Sequence, residues 1–86
     1  MNANLFDLLL KRINKIEKVI DSRVDFIPER RMYEFLVLVD TGDQIMKLTF
    51  PVNDVMSETV EYHGVIFDMV SKAIGMQLEI ITQSMV

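Results

Sequence analysis

Two runs decide how this chain folds: Met32-Tyr33-Glu34-Phe35-Leu36-Val37-Leu38-Val39 and Gln44-Ile45-Met46-Lys47-Leu48-Thr49-Phe50, with Asp40-Thr41-Gly42-Asp43 between them. Both are rich in β-branched and aromatic residues, and the intervening Asp, Thr, Gly and Asp are turn formers, so they read as a β-hairpin. A strand with one wet face alternates apolar and polar residues, but the first run hardly alternates. Both faces of the hairpin are therefore apolar, and in an 86-residue chain a second face needs cover that a partner chain can supply.

Two registers compete. A two-residue Thr41-Gly42 loop pairs Tyr33 with Phe50, Phe35 with Leu48 and Val37 with Met46, leaving Leu36, Leu38 and Ile45 on the second face. That loop asks for positive φ at the first turn residue, which β-branched Thr41 resists. A three-residue Asp40-Thr41-Gly42 loop with a left-handed Gly42 suits the turn chemistry better. It pairs Leu36 with Met46 and Val37 with Ile45, and sends Tyr33, Phe35, Val37, Val39 and Ile45 to the second face. The bulged register is the preferred expectation. Across the two registers, the candidate interface is Tyr33, Phe35, Leu36, Val37, Leu38, Val39 and Ile45.

Upstream, Leu5, Leu9, Ile13, Ile16 and Ile20, widened by Phe6 and Val19, repeat at helical spacing and predict an amphipathic helix from Leu5 to about Asp21. Asn4 is its expected N-cap, with Asp7 three residues on. Residues 22–31 stay open: Val24, Phe26 and Ile27 are too apolar for a free loop, and a short strand before an Ile27-Pro28-Glu29-Arg30 turn is one reading. Pro51 is expected to end the second strand. Asn53 or Ser57 then caps a second helix, with Met56, Val60, His63, Phe67, Val70 and Ile74 on one stripe and Gly75 as its left-handed stop. Met76, Leu78 and Ile80, alternating with Gln77 and Glu79, predict a third strand. The expected fold is α+β in the order α-β-β-α-β, one domain over residues 1–86.

Composition narrows the function. There is no cysteine and a single histidine, which removes disulfides and thiolate metal sites, and no carboxylate group has calcium-loop spacing. With three glycines in the chain, no phosphate loop, dinucleotide fingerprint or nucleophile elbow is present. The reading is of a non-enzymatic protein with no cofactor and no metal. His63 beside Tyr62 lacks the positioned partner that acid–base chemistry requires, and it falls on the apolar stripe of its helix, so it reads as a packing residue. The longest apolar run, Phe35 to Val39, is far below the ~20 residues of a spanning helix. The N-terminus has neither the basic start nor the apolar stretch of a signal peptide, so cytoplasmic residence is the expectation.

Charge is uneven. The formal net charge is −4; residues 1–31 hold seven Lys or Arg against five acids, and residues 32–86 hold two Lys against eight acids. Lys11, Arg12, Lys15 and Lys18, with Arg30 and Arg31 if the loop folds alongside, form the candidate phosphate-binding set for a nucleic acid or a small nucleotide. No aromatic residue interleaves with the lysines, and the acidic remainder repels polyanions, so a solvated helix face is the plainer reading. Seven methionines, several on apolar faces, fill gaps or serve adaptable contact surfaces. The expectation drawn from all this is a small protein-interaction module that forms a homodimer or higher closed oligomer. It would act as adaptor, regulator or inhibitor on another protein; the phosphate-ligand binder is the alternative.

Overall fold

The structure, a computed structural model, describes residues 5–84. Helix α1 (Asp7–Asn14) leads into strands β1 (Val19–Ile27), β2 (Met32–Asp40) and β3 (Ile45–Asn53), then the single turn α2 (Asp54–Ser57) and the long helix α3 (His63–Ser84). Short 3-10 turns at Pro28–Arg30 and Val60–Tyr62 join β1 to β2 and α2 to α3. The three strands form an antiparallel meander in the order β1-β2-β3. The α+β class read from the sequence is the one observed, with a different order of elements: α-β-β-β-α-α in place of α-β-β-α-β.

The first difference lies at residues 15–27. The stripe Leu9, Ile13, Ile16, Ile20 suggested one helix to Asp21, yet α1 ends at Asn14 and Lys18 turns the chain in the left-handed region, φ 76°. From Ser22 a period of two takes over: Ser22, Val24 and Phe26 lie on the side of Val37, Phe35 and Tyr33, and Arg23 and Asp25 face the other way. The extended conformation pairs this backbone fully with β2, which a continued helix would leave without a neighbour on that edge. Lys18 C=O accepts from Asp40 N at 2.8 Å, and Ser22 Oγ donates to Asn14 Oδ1 at 2.7 Å, tying the corner. The strand reading of residues 22–27 is thus the correct one. The expected cap Asn4 lies outside the described residues.

The hairpin register also differs from both expectations. Phe35 pairs with Phe50, Val37 with Leu48, Val39 with Met46 and Asp40 with Ile45, which leaves a four-residue loop, Thr41–Gln44. Inside it Gly42 is left-handed at φ 100°, its amide donating to Asp40 Oδ1 at 2.8 Å, and Thr41 N donates to Gln44 O at 3.0 Å. The preferred bulged register is therefore overturned. Because side chains alternate with a period of two, a slip of two residues from the Thr41-Gly42 register preserves the faces, and a slip of three from the bulged register exchanges them.

Tyr33, Phe35, Val37 and Val39 consequently point into the core, not to the second face. They pack with Phe6, Leu9 and Ile13 of the α1 segment and with Ile66, Val70 and Ile74 of α3. Phe6 meets Tyr33 and Phe35 edge-on, at ring separations of 4.8 and 5.4 Å. Each fully buried Leu, Ile or Phe here contributes roughly 1.5–3 kcal/mol relative to exposure.

Pro51 does not end β3, which runs on to Asn53. Since β3 is an edge strand, the missing N–H is harmless on its free side. Asn53 does cap a helix: its Oδ1 accepts from Val55 N at 2.9 Å. That helix is only α2, and the long one starts afresh at His63. Gly75 is not its stop. The helix passes through it without a positive φ, so Met76–Gln83, read as a strand, are helical. Ile74 and the half-buried Leu78 and Ile81 follow one another at spacings of four and three, continuing the core stripe.

Candidate functional site

Burial along β2 alternates strictly from Met32 to Val39: the Tyr33-Phe35-Val37-Val39 side is buried, and the Met32-Glu34-Leu36-Leu38 side only partly. Both α1 and α3 lie on the first side. The second is the open face of the sheet. Leu36 sits at its centre between Arg23 of β1 and Thr49 of β3, and Leu38 between Asp21 and Lys47. Toward one end, Met32 lies between Ile27 and Asn53; at the other, Ile45 is 61% exposed opposite Asp40.

The two leucines are half-buried. Their cross-strand neighbours include Arg23 and Lys47, residue types whose long aliphatic stems can cover apolar surface while the charged ends stay in water. Arg23 Nε stands 3.5 Å from Asp25 Oδ2 on this same face, an exposed pair that adds little stability and fixes where the charge sits. A shallow pit of about 70 Å³ between Leu36, Leu38, Asp21 and Arg23 gives the face relief. The result is an apolar centre, Leu36 and Leu38, with a charged rim of Asp21, Arg23, Asp25, Glu34 and Lys47.

Of the seven candidate interface residues, Leu36, Leu38 and Ile45 lie on this open face and Tyr33, Phe35, Val37 and Val39 lie beneath the helices. The sheet edges resist a different mode of contact. β1 alternates Asp21, Arg23 and Asp25 and has a bulge between Val19 and Asp21, and β3 carries Lys47 and Pro51. Charges, bulges and proline are the devices that stop a strand edge from adding another strand.

The six basic candidates are not gathered into one site. Lys11 and Arg12 are on α1, Lys15 closes its C-terminus, Lys18 is in the left-handed corner, and Arg30 and Arg31 lie in the turn beyond β1. Lys18 and Arg30 are separated by the whole of β1, about 30 Å for nine extended residues. Two of the cations are already engaged. The Arg12 guanidinium carbon lies 4.3 Å from the Phe67 ring centroid, and Arg31 Nε is 3.5 Å from Asp54 Oδ2.

His63 is buried, stacked on Phe6 at 5.3 Å, with Nε2 2.7 Å from Ser57 O. A carbonyl only accepts, so Nε2–H donates, and the ring bridges the gap between α2 and α3. This is the packing role read from its position. Beside it, Tyr33 Oη donates to Glu58 Oε2 at 2.8 Å. Burial, and then the Glu58 carboxylate, push the Tyr33 hydroxyl above the usual phenol range.

One surface escaped the sequence reading. Val65, Met69, Met76 and Ile80 are exposed on α3, whereas the alternation of Met76, Leu78 and Ile80 predicts a strand there. The available signal was a second apolar residue directly before each core residue: Val65 before Ile66, Met69 before Val70, Ala73 before Ile74. Among the described residues no group of three or more His, Asp or Glu is placed to hold a metal ion, and no helix is long and apolar enough to cross a membrane. Comparison with protein-family models, with curated proteins and with solved structures gives no match.

Proposed function

We propose that this is a non-enzymatic protein-interaction module of the cytoplasm that self-associates through the open face of its sheet and acts on another protein as adaptor, regulator or inhibitor. The observation that carries the reading is the placement of α1 and α3 on one side of a three-stranded sheet, with Leu36 and Leu38 central on the other. A contiguous apolar patch rimmed by polar groups marks a contact site more often than not. Guarded edges favour packing face to face over strand addition.

A two-fold face-to-face contact is isologous, so every group meets the same surface on its partner. The rim is suited to this, because it carries Arg23 and Lys47 as well as Glu34, Asp25 and Asp21. The test is Leu36→Lys and, separately, Leu38→Lys. Each places a charge at the centre of the contact without touching the buried side of β2, so each should weaken association at least tenfold with circular dichroism unchanged. Replacing Lys11, Lys15 and Lys18 together by glutamine should leave association as it is. Leucine variants that reach the parent's oligomeric mass at the parent's concentrations would refute the reading, and so would loss of association in the lysine variant.

A further inference from the structure

Helix α3 has two apolar stripes. Ile66, Val70 and Ile74 are at most 1% exposed and face the core. Successive residues turn by about 100°, so Val65, Met69 and Ala73 form a separate stripe about 100° round the helix, continued by Met76 and Ile80. In that stripe Val65 is 51%, Met69 40%, Met76 62% and Ile80 52% exposed. It faces away from α1, which meets α3 on the Phe67 side, where Arg12 lies on the ring.

The order of this second stripe is symmetric. Val65 and Ile80 lie equally far from the point midway between Lys72 and Ala73, and so do Met69 and Met76. An antiparallel copy of the same helix, centred there, sets Val65 against Ile80, Met69 against Met76, and the small Ala73 near the axis where the helices come closest. A surface that is its own complement under a two-fold rotation is what an isologous contact requires. The stripe also ends in a receptacle. Beside Val65 and Met69 lies a groove of about 150 Å³ whose other walls include Pro51, Val52, Met56 and Tyr62. The antiparallel arrangement brings Ile80 of the second copy to its mouth.

We infer that α3 pairs antiparallel with α3 of a second copy of this chain through Val65, Met69, Ala73, Met76 and Ile80, forming a two-fold contact separate from the open sheet face. A lipid surface is a poorer occupant: α3 carries one cation, Lys72, against Asp68 and Glu79, whereas membrane-lying helices carry a basic polar face. The stripe spans about 23 Å of helix. Contact over that length, with the groove filled, buries on the order of 1,000 Å² in all, at the lower end of specific interfaces. With the sheet face of the proposed function, the chain would have two isologous contacts, which close into a tetramer where their axes meet at right angles.

The inference does not depend on the sheet-face reading, and the experiment keeps them apart. In the Leu36→Lys background, which weakens the sheet-face contact at least tenfold, sedimentation equilibrium should still give a dimer. Adding Met69→Glu or Met76→Lys alone should raise the dimer dissociation constant at least tenfold. Adding both should restore the dimer, since each new acid then faces a new base across the two-fold. Within one helix the two positions are about 10.5 Å apart along the axis, too far for a direct pair. Circular dichroism identifies any variant that fails to fold, and the restored double variant guards against that failure. A monomer in the Leu36→Lys background, single variants that dimerise like the parent, or a double variant no tighter than the singles would each overturn the inference. The last result would also be that of a parallel pair, in which like charges meet.

Discussion

Tyr33 Oη donates a 2.8 Å hydrogen bond to Glu58 Oε2, joining the central strand to the segment that links α2 and α3. Tyr33 is otherwise enclosed by Phe6 and Phe26, so its hydroxyl is the polar end of a ring held in the core. Deprotonation would place an anion at that part-buried end of the ring, beside a carboxylate. The folded-state pKa therefore lies above the ordinary phenol value of 10.0.

A pH dependence follows with a definite sign. Below pH 10.0 the tyrosine is protonated in folded and unfolded chains alike, and its contribution is constant. Above it, the unfolded chain releases the proton first, so stability falls as pH rises from there through the folded-state value. Urea unfolding between pH 8 and about pH 11 should show this alkaline loss in the parent and a smaller loss in Tyr33→Phe. At neutral pH Tyr33→Phe should cost about 1 kcal/mol, the net value of one hydrogen bond. Equal alkaline slopes in the two proteins would show that the hydroxyl is not enclosed as described.

Gly75 provides a test of α3. In a helix interior glycine is less favourable than alanine by about 0.8–1.0 kcal/mol. A Cβ built at Gly75 meets nothing within 4 Å, and its φ is not positive. Gly75→Ala should therefore stabilise the domain by about 0.5–1 kcal/mol. Destabilisation would return Gly75 to the role of a left-handed helix stop and Met76–Gln83 to a strand.

The C-terminal half of α3 shows where sequence patterns run out. Met76, Leu78 and Ile80 alternate as a strand would, but two stripes on one helix, the core stripe through Leu78 and the outer one through Met76 and Ile80, give the same alternation over five residues. At the other end, Leu9, Ile13 and Phe6 were legible as a helix face and are buried as such. Ile16 still packs on the core, but Ile20 extended that pattern only by its spacing: the left-handed turn at Lys18 ends the helical run, and Ile20, 50% exposed, falls at the bulge of β1. The hairpin itself was legible, as was the surplus of apolar residues on its second face. Its register was not, because Asp40 and Thr41 hydrogen-bond within the loop and support a longer turn than glycine placement suggests.

Core substitutions separate the two helix faces. Ile66→Ala removes a side chain that is 0% exposed and should cost about 2–5 kcal/mol. Lys15→Ala, on an exposed residue at the end of α1, should change stability by less than about 0.5 kcal/mol. Thermal unfolding of the two variants beside the parent checks the assignment. Similar losses in both would contradict the placement of α3 against the sheet.

The molar mass of the unmodified chain in solution tests the central claim most directly. Sedimentation equilibrium from low to high micromolar concentration should give a mass that rises from one chain of 10.0 kDa to a closed oligomer with a whole number of copies. Leu36→Lys should shift that rise to higher concentration. A mass of 10.0 kDa across the whole range would contradict self-association through the open sheet face.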